Sequence, residues 1–381
     1  MESGVVNKIS ALDGLRGLMA FWVWVTHVTT MATMPLLKHS GLGWVLANGS
    51  FAVGVFVILS GFVIGLNLSA EQKTSYIPFL IRRGFRLFPA YLFCLALSVI
   101  LLYPSIEFLH NLPWDGPRTA DRLKIFNDTA DYYWAHLFLH ILLLHGLFPD
   151  AILPSTSHAF MGQAWSLTLE WQFYLLAPFL FFWAGRFKLS FLLQLIILII
   201  LSLAAKFFRQ QSFLPSLLHM FFIGYFCCRI MLERQKKILS SRKAMGMLVM
   251  QILIVSIFGL GTVSVLIWAV VFVGLLLRGA ASNPILVILE SRAAQWLGRV
   301  SYSFYCVHMV VMYAMGYFLV IVVDLQSRPI YMVALILGSL LITLVMSHLI
   351  NVWLEQPAQN YGKLLARKLQ TYSVGRNQFE R

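Results

Sequence analysis

Ten long apolar segments decide what this sequence can fold into. A helix needs about 20 predominantly apolar residues to cross the hydrocarbon core of a bilayer, and segments of roughly that length recur along the whole sequence. Hydrophobic residues make up 59% of the 381 positions and charged residues only 12%, which excludes a soluble domain with a single anchor. The sequence therefore predicts an all-α fold, a polytopic membrane helix bundle of about ten transmembrane helices. The segments lie near residues 11–34, 49–68, 86–104, 164–184, 189–208, 213–232, 245–260, 262–278, 298–323 and 331–354.

A further apolar segment, 134–148, is too short to count as an eleventh span. It has fifteen residues and carries His136, His140 and His145. Apolar segments of this length are more typical of re-entrant or interfacial helices than of full spans. We therefore expect a short re-entrant or interfacial helix here.

Lys and Arg residues are distributed unequally between alternate loops. In a ten-span arrangement 21 of the 29 fall on the side of the N-terminus and 7 on the other side, while Arg16 lies inside the first segment. Because cytoplasmic loops carry the excess of Lys and Arg, both termini are predicted to be cytoplasmic, and the longest loop, about 105–163, to lie on the opposite side. Membrane topology thus accounts for the net charge of +14. Membrane lipid is the expected partner of these charges, and no nucleic acid is expected.

Arg16 and His27 stand in the first apolar segment, eleven residues apart. Eleven helical steps make three turns and about 20°, so the two side chains are predicted to share one face, about 16 Å apart along the axis. An ionisable residue inside a membrane helix is costly unless it faces protein or water, which makes both functional candidates. The alternative is that Arg16 snorkels to the cytoplasmic surface and His27 reaches the outer headgroups. Since the segment is long and contains Arg16, we expect a retained helix rather than a cleaved signal peptide.

Three arginines, Arg82, Arg83 and Arg86, fall within five residues just before Pro89. A proline often marks the first turn of a helix, and guanidinium groups near a helix N-terminus are suited to binding phosphate. The alternative is an ordinary cytoplasmic anchor that contacts lipid headgroups.

Polar residues recur in later apolar segments. Glu170 lies within the segment that begins at Trp165, and it needs a partner, for which Arg16, His27 or a substrate hydroxyl could serve. Ser60 and Gly61 are small enough to allow close approach of a helix or a ligand.

The ninth and tenth segments carry further polar positions. Tyr302 and His308 lie near the start of the ninth, where a lone histidine is also compatible with a hydrogen-bonded packing role, and Glu355 precedes Pro357 at the end of the tenth. The four cysteines lack metal-type spacing, so no metal is expected.

Six motifs occur in an order that resembles one known family. The ordered set is similar to the acyltransferase-3 family of integral membrane O-acyltransferases, and the resemblance covers residues 9–360. The sequence differs from the family pattern at Trp171, where a second acid often follows the glutamate, and at Cys306, where an apolar residue is usual. The motifs are Asp13-Gly-Leu-Arg16-Gly with His27, Leu59-Ser-Gly-Phe62, Arg83-x-x-Arg86 with Pro89-x-Tyr91, Trp165-Ser-Leu-x-x-Glu-x-Gln-Phe-Tyr174, Ser301-Tyr-x-x-Tyr-x-x-His308 and Glu355-x-Pro357.

The resemblance implies acyl transfer from acyl-CoA, typically acetyl-CoA, that enters from the cytoplasm. The implied acceptor is a hydroxyl of a carbohydrate, such as a surface polysaccharide, a lipid-linked glycan or an exopolysaccharide, and the implied location is the bacterial inner membrane. On this basis residues 9–360 are expected to form a membrane-embedded acyltransferase domain, and residues 361–381 a basic cytoplasmic tail.

If this resemblance holds, the chemistry of the candidate residues suggests a role for each of them in acyl transfer. Arg82, Arg83 and Arg86 would hold the phosphates of coenzyme A, with Ser60 beside the donor.

The reacting groups would come from the first and fourth segments. His27 would be the general base toward the acceptor hydroxyl, Arg16 would position the thioester or stabilise developing negative charge, and Glu170 would orient His27 or the acceptor. A covalent acyl-histidine intermediate is a further alternative. Trp165, Tyr302 and His308 complete the predicted substrate-binding set.

Two other functions remain open from the sequence. The same family chemistry could act on a small lipophilic acceptor such as a macrolide. A transporter or flippase of a glycolipid would also have many spans and buried charges, although no internal repeat is evident and the arginine cluster would be unexplained.

Overall fold

The computed structural model describes residues 9–32, 41–70, 75–114, 116, 118–186, 191–205, 212–277 and 283–379. Every regular element in these ranges is a helix, so the all-α prediction is confirmed. Each of the ten apolar segments overlaps a different helix, although segment 86–104 begins inside the helix Tyr76–Ile100 and ends inside Leu102–His110. The α-helices are α1 Ser10–Met31, α2 Gly41–Leu46, α3 Gly49–Ala70, α4 Tyr76–Ile100, α5 Leu102–His110, α6 Thr119–Asp131, α7 Tyr133–Ile141, α8 Trp165–Arg186, α9 Phe191–Ala205, α10 Leu214–Gln235, α11 Ser241–Ile257, α12 Thr262–Leu276, α13 Pro284–Leu289, α14 Arg292–Tyr317, α15 Arg328–Ile350 and α16 Gln356–Phe379.

Five helical stretches among the described residues are long and apolar enough to cross a bilayer. Two shorter apolar helices, Leu193–Ala205 and Thr262–Leu276, accompany them. The chain is therefore an integral membrane protein, while the count of ten spans and the cytoplasmic termini stay predictions. The five stretches are Gly49–Ser69, Tyr76–Ile100, Leu214–Gln235, Arg292–Val322 and Arg328–Thr371.

The short apolar segment 134–148 forms α7 and a separate 3₁₀ turn, His145–Leu147. The two are separated by a sharp bend, at which Leu143 has a φ of 53°. The nine residues of α7 extend only about 13 Å. A short helix that cannot span is thus confirmed, and its re-entrant or interfacial position stays a prediction.

The arginine cluster lies inside a helix and not at its start, which corrects the sequence prediction. Helix α4 begins at Tyr76, so Arg82 to Arg86 lie in its second and third turns, and Pro89 is an interior residue. Proline is tolerated within membrane helices because neighbouring groups satisfy the backbone atoms that it frees. Free N–H groups of a helix N-terminus are therefore not part of this cluster.

The chain divides into two compact units, of which unit 1 comprises Met1–Thr26, Lys38–Glu71 and Leu176–Arg299. Its best-packed pair is α3 and α10. A Cβ atom on Gly61 would overlap the carbonyl oxygen of Phe221, and one on Gly224 would overlap that of Ile58. Of the two uses predicted for Gly61, the structure shows the close approach of helices.

The first turns of α1 pack against α13 and α14 in the same way within unit 1. Gly14 lies against the Leu289 carbonyl, and Gly17 against the backbone of Gly298. Ser10 donates a hydrogen bond to Glu290 at 2.8 Å. The glycines around Arg16 are therefore required for packing.

Unit 2 comprises His27–Leu37, Gln72–Leu175 and Val300–Arg381. Within it α4 packs along α16, where Gly362 lies against the Phe85 side chain. Two π-helical stretches, Phe318–Val322 and Asn351–Glu355, follow α14 and α15, and such stretches are frequent at functional sites. The predicted boundary between residues 360 and 361 falls inside α16 and stays a prediction.

Candidate active site

Arg83 is the central residue of a polar cluster in unit 2. Its guanidinium lies over two aromatic rings, 5.5 Å from the centroid of Phe79 and 5.4 Å from that of Tyr174. Its Nε atom is buried and makes no hydrogen bond with the described residues. Cation–π contacts stabilise a guanidinium without using its N–H groups, so Arg83 keeps a donor for a ligand.

Two carboxylates balance the charge of this cluster. Tyr174 donates a short hydrogen bond to Glu170, and Glu170 attracts both Arg83 and Arg86 electrostatically. Glu355 adds a second negative charge that acts on Arg86. The structure shows a hydrogen bond of Glu170 with Tyr174 and its electrostatic attraction to the arginines of α4. The partners that the sequence predicted, Arg16, His27 or a substrate hydroxyl, stay predictions.

Glu355 is held rigidly by three hydrogen bonds. Ser303 donates to Oε2 at 2.5 Å and Asn351 at 3.0 Å, while Gln359 donates to Oε1 at 3.0 Å. The residue is buried in the π-helical stretch. This carboxylate therefore has a fixed position in the cluster that includes Arg86.

Two predicted substrate residues, Tyr302 and Trp165, lie on α14 and at the start of α8, both in unit 2. Tyr302 donates to the Leu87 carbonyl at 2.6 Å, which fixes α14 beside the residue that follows Arg86. Trp165 is half-buried at the first residue of α8. The next residue, Ser166, bonds Tyr305 at 2.7 Å, which anchors this end of α8.

His27 lies next to His308, with their ring centroids 5.3 Å apart and their planes tilted by 42°. His27 is half-buried. Its electrostatic neighbours are His308, Arg122, Arg118 and His158. The predicted base thus lies among cationic and imidazole groups.

His308 has a defined tautomer because of one backbone contact. Its Nδ1 lies 2.8 Å from the Tyr305 carbonyl oxygen, and a carbonyl can only accept, so Nδ1 carries the proton. The lone pair of the neutral ring is then on Nε2. That atom is buried and makes no hydrogen bond with any described residue, which leaves a base beside His27.

Arg122 of α6 is a buried cation near the C-terminal end of α1, where His27 also lies. Its Nη2 donates to the Thr30 hydroxyl at 2.8 Å, and its Nη1 contacts the Met31 sulfur at 3.4 Å. Thr30 in turn donates to the backbone carbonyl of His27 at 2.9 Å. Burial, together with the positive charge of Arg118, lowers the pKa of Arg122 from its ordinary value.

Histidines outside the membrane spans form a second buried group. The rings of His140 and His145 stack 3.8 Å apart, and they contact the carbonyls of Thr156 at 3.2 Å and Ala164 at 3.3 Å. Burial lowers the pKa of His145 to about 3 and holds that of His140 well below its ordinary value. They are therefore neutral at physiological pH and connect α7 to the segment before α8.

The remaining predicted residues, Arg16 and Ser60, belong to unit 1. Arg16 pairs with Asp13 at 3.1 Å, one turn earlier on α1. Ser60 is half-buried on α3. In the described part of the chain, no group of three His, Cys, Asp or Glu residues could hold a metal ion.

Comparison with known proteins assigns the family. A family model described as an acyltransferase domain matches residues 9–348. The chain belongs to the acyltransferase-3 family. It is 28% identical over 181 residues to acyltransferase MdmB of Streptomyces mycarofaciens, which is 45% of this chain and 39% of that protein.

A second relative, from Komagataeibacter xylinus, carries the name membrane-bound transacylase BcsY. The identity is 28% over 169 residues, which is 44% of this chain and 36% of the relative. The chain thus matches less than two-fifths of the length of either relative. No solved structure matches the chain.

In this acyltransferase-3 protein, three residues that the sequence-based set of site residues left out lie close to members of that set in the structure. Tyr174 and Glu355 contact the arginine cluster or act on its charge, and Arg122 is buried near His27. The sequence singled out Glu355 as a carboxylate at the end of an apolar segment but gave it no role in the site. Nothing in the sequence pointed to Arg122, because it lies in a polar segment whose composition is typical of an exposed helix.

Proposed function

We propose that this protein is a membrane O-acyltransferase that moves an acetyl or other short acyl group from acyl-CoA to a hydroxyl of a carbohydrate. Family membership supports acyl transfer in general. The observation that carries the proposal for this chain is the half-buried His27 beside His308, whose Nε2 atom is buried and makes no hydrogen bond with the described residues. An imidazole can take a proton from a hydroxyl near neutral pH.

The proposed step conserves atoms and charge. His27 removes the proton of the acceptor hydroxyl as its oxygen forms a bond to the thioester carbon, and the carbonyl electrons move onto the carbonyl oxygen. That oxyanion re-forms the carbonyl, and the C–S bond breaks. The sulfur leaves with the electron pair and takes the proton from His27, which gives an ester and free coenzyme A.

The donor would be held by Arg82, Arg83 and Arg86. Their side chains project from successive turns of α4, and the buried Nε of Arg83 can donate to a phosphate oxygen. Glu170 would act through these arginines, because its carboxylate lies beside Tyr174 and attracts two of them. The sequence suggested a different role for Glu170, which was to orient His27 or the acceptor.

Other parts of the proposal rest on the sequence alone. Arg16 would position the thioester or stabilise the oxyanion, Ser60 would lie beside the donor, and Trp165 and Tyr302 would bind substrate. The protein would act in a bacterial inner membrane on a surface polysaccharide, a lipid-linked glycan or an exopolysaccharide.

The experiment follows labelled acetyl from acetyl-CoA into acceptor in membranes that contain wild-type protein or a histidine variant. His27→Gln keeps hydrogen bonding but cannot act as a base at neutral pH, so we expect a loss of about 10²–10⁴-fold in rate with normal expression. The matched control is His219→Gln. His219 is buried and already bonded to Ser202 at 2.8 Å and to the Leu260 carbonyl at 3.3 Å, so its loss should reduce stability and not the rate per folded molecule.

Substantial turnover by His27→Gln would remove this histidine from the chemistry.

The donor role is tested in the same membranes, where Arg83→Gln should raise the apparent KM for acyl-CoA at least several-fold and leave the apparent KM for the acceptor nearly unchanged. A lipophilic acceptor would be recognised when the label appears in small-molecule extracts and not in glycan. A transporter would leave acetyl-CoA unconsumed.

A further inference from the structure

Arg122 carries a buried positive charge that forms no ion pair with a described carboxylate. Its side chain is 8% exposed, and its hydrogen-bond partners, Thr30 and Met31, are both neutral. Burial of an unpaired cation is costly, and buried charges are normally paired. A ligand that carries a negative charge would remove this cost.

The acidic residues of α6 form no ion pair with Arg122. Asp128 accepts a hydrogen bond from Ser155 at 2.6 Å and pairs with Lys124 at 3.7 Å. Asp121 is exposed. No described carboxylate lies within 4 Å of Arg122 to form an ion pair.

A second arginine makes the local charge stronger. Arg118 precedes Arg122 by four residues at the cap of α6, and its side chain is exposed. Like charges at this spacing destabilise a helix slightly, and the positive end of the α6 dipole adds to them. This arrangement costs stability in the free protein and favours an anion.

The two arginines lie close to the proposed base. Both act electrostatically on the His27 ring, and Thr30 joins Arg122 to the His27 backbone. Trp114, just before α6, packs on Tyr331 with ring centroids 5.0 Å apart. Aromatic rings beside arginines are suited to a sugar that carries an acidic group.

We propose that Arg122 and Arg118 form an anion-binding site for a phosphate or carboxylate group on the acceptor. This inference rests on the proposed acyl transfer only for the statement that the bound molecule is an acceptor. The bound acid would place a neighbouring hydroxyl next to His27.

The test measures binding to the full-length protein in lipid nanodiscs, without acyl-CoA. An Arg83→Gln/Arg86→Gln protein serves as the parent, because it removes the proposed donor phosphate site. The probes are glucose 1-phosphate, glucuronate and glucose at constant ionic strength, with thermal unfolding and calorimetric titration as readouts. We expect at least one anionic probe to bind and to raise the unfolding temperature, while glucose does neither. Tighter binding of glucose 1-phosphate would indicate a phosphate on the acceptor, and tighter binding of glucuronate would indicate a carboxylate.

In that parent, Arg122→Gln should weaken binding of the anionic probe at least tenfold and Arg118→Gln at least threefold. The matched control is Lys124→Gln, which removes an exposed positive charge from the same helix and should leave binding within twofold. If Arg122→Gln does not fold, the exposed Arg118 decides the question.

The proposal is overturned if no anionic probe binds the parent, if binding survives both arginine substitutions, or if Lys124→Gln weakens it equally. Anion binding without any acetyl transfer by the wild-type protein would keep this site and reject the proposed function.

Discussion

The strongest single test of the arginine cluster is removal of the Glu355 carboxylate. Three donors converge on it, from Ser303 at 2.5 Å and from Asn351 and Gln359 at 3.0 Å each. A hydrogen bond to a charged group contributes about 1.5–3 kcal/mol, but such contributions do not add within one network. Breaking a buried charged network by removing one partner typically costs about 3–5 kcal/mol, and we expect that loss for Glu355→Ala.

Glu355→Gln is the matched control for geometry. Its amide oxygen can still accept from Ser303 and Asn351, and Gln359 lies near the surface and can rotate its own amide. We therefore expect a loss of only about 1–2 kcal/mol, equivalent to one hydrogen bond. The same variant removes a negative charge that acts on Arg86, so the apparent KM for acyl-CoA should change even though the fold is kept.

The assay is reversible unfolding in mixed detergent micelles, combined with donor titrations on the same preparations. A Glu355→Ala loss below about 1 kcal/mol would refute the idea that the three hydrogen bonds hold the carboxylate. Equal losses for the Ala and Gln variants would show that charge, and not hydrogen bonding, dominates. An unchanged donor titration for Glu355→Gln would separate this residue from Arg86.

Three further predictions concern packing, pH and topology. Gly61→Ala should destabilise the protein by about 1–3 kcal/mol, because a Cβ atom at Gly61 overlaps the α10 backbone. Gly246→Ala is the control and should not destabilise it, because no atom lies within 4 Å of a Cβ atom at that position. Unfolding measurements on both variants check this. In the folded protein His145 stays neutral, with a pKa of about 3, whereas in the unfolded chain it takes up a proton near pH 6.5, so the stability of the fold should decrease as the pH falls from about 6.5 toward 3. Thermal unfolding of His145→Gln should depend less on pH than that of the wild type. The same pH dependence in both proteins would contradict the prediction. Cysteine placed at Arg118 should react with an impermeant thiol reagent in intact cells, since the four native cysteines are buried, and reaction only after permeabilisation would exclude the ten-span topology.

The pattern of apolar and polar residues was enough to predict the helical architecture and the first set of candidate residues. Ten apolar segments became ten helices, because the length of an apolar segment and the need to satisfy every backbone group internally act locally along the chain. The same reasoning singled out His27 and His308 as polar residues in apolar helices. It could not bring their rings to 5.3 Å, since that depends on the packing of α1 on α14.

Which charges act on one another depends on how the helices pack. Glu170 is bonded to Tyr174 on its own helix and attracts the arginines of α4, which lies many residues earlier in the sequence. Pro89 suggested a helix start, but α4 continues through it because the surrounding helices outweigh local propensity. Arg122 reads as an exposed residue of a polar helix and becomes a buried cation only when α6 packs on the end of α1. Electrostatic pairing depends on distances across the fold, and the linear sequence does not contain those distances.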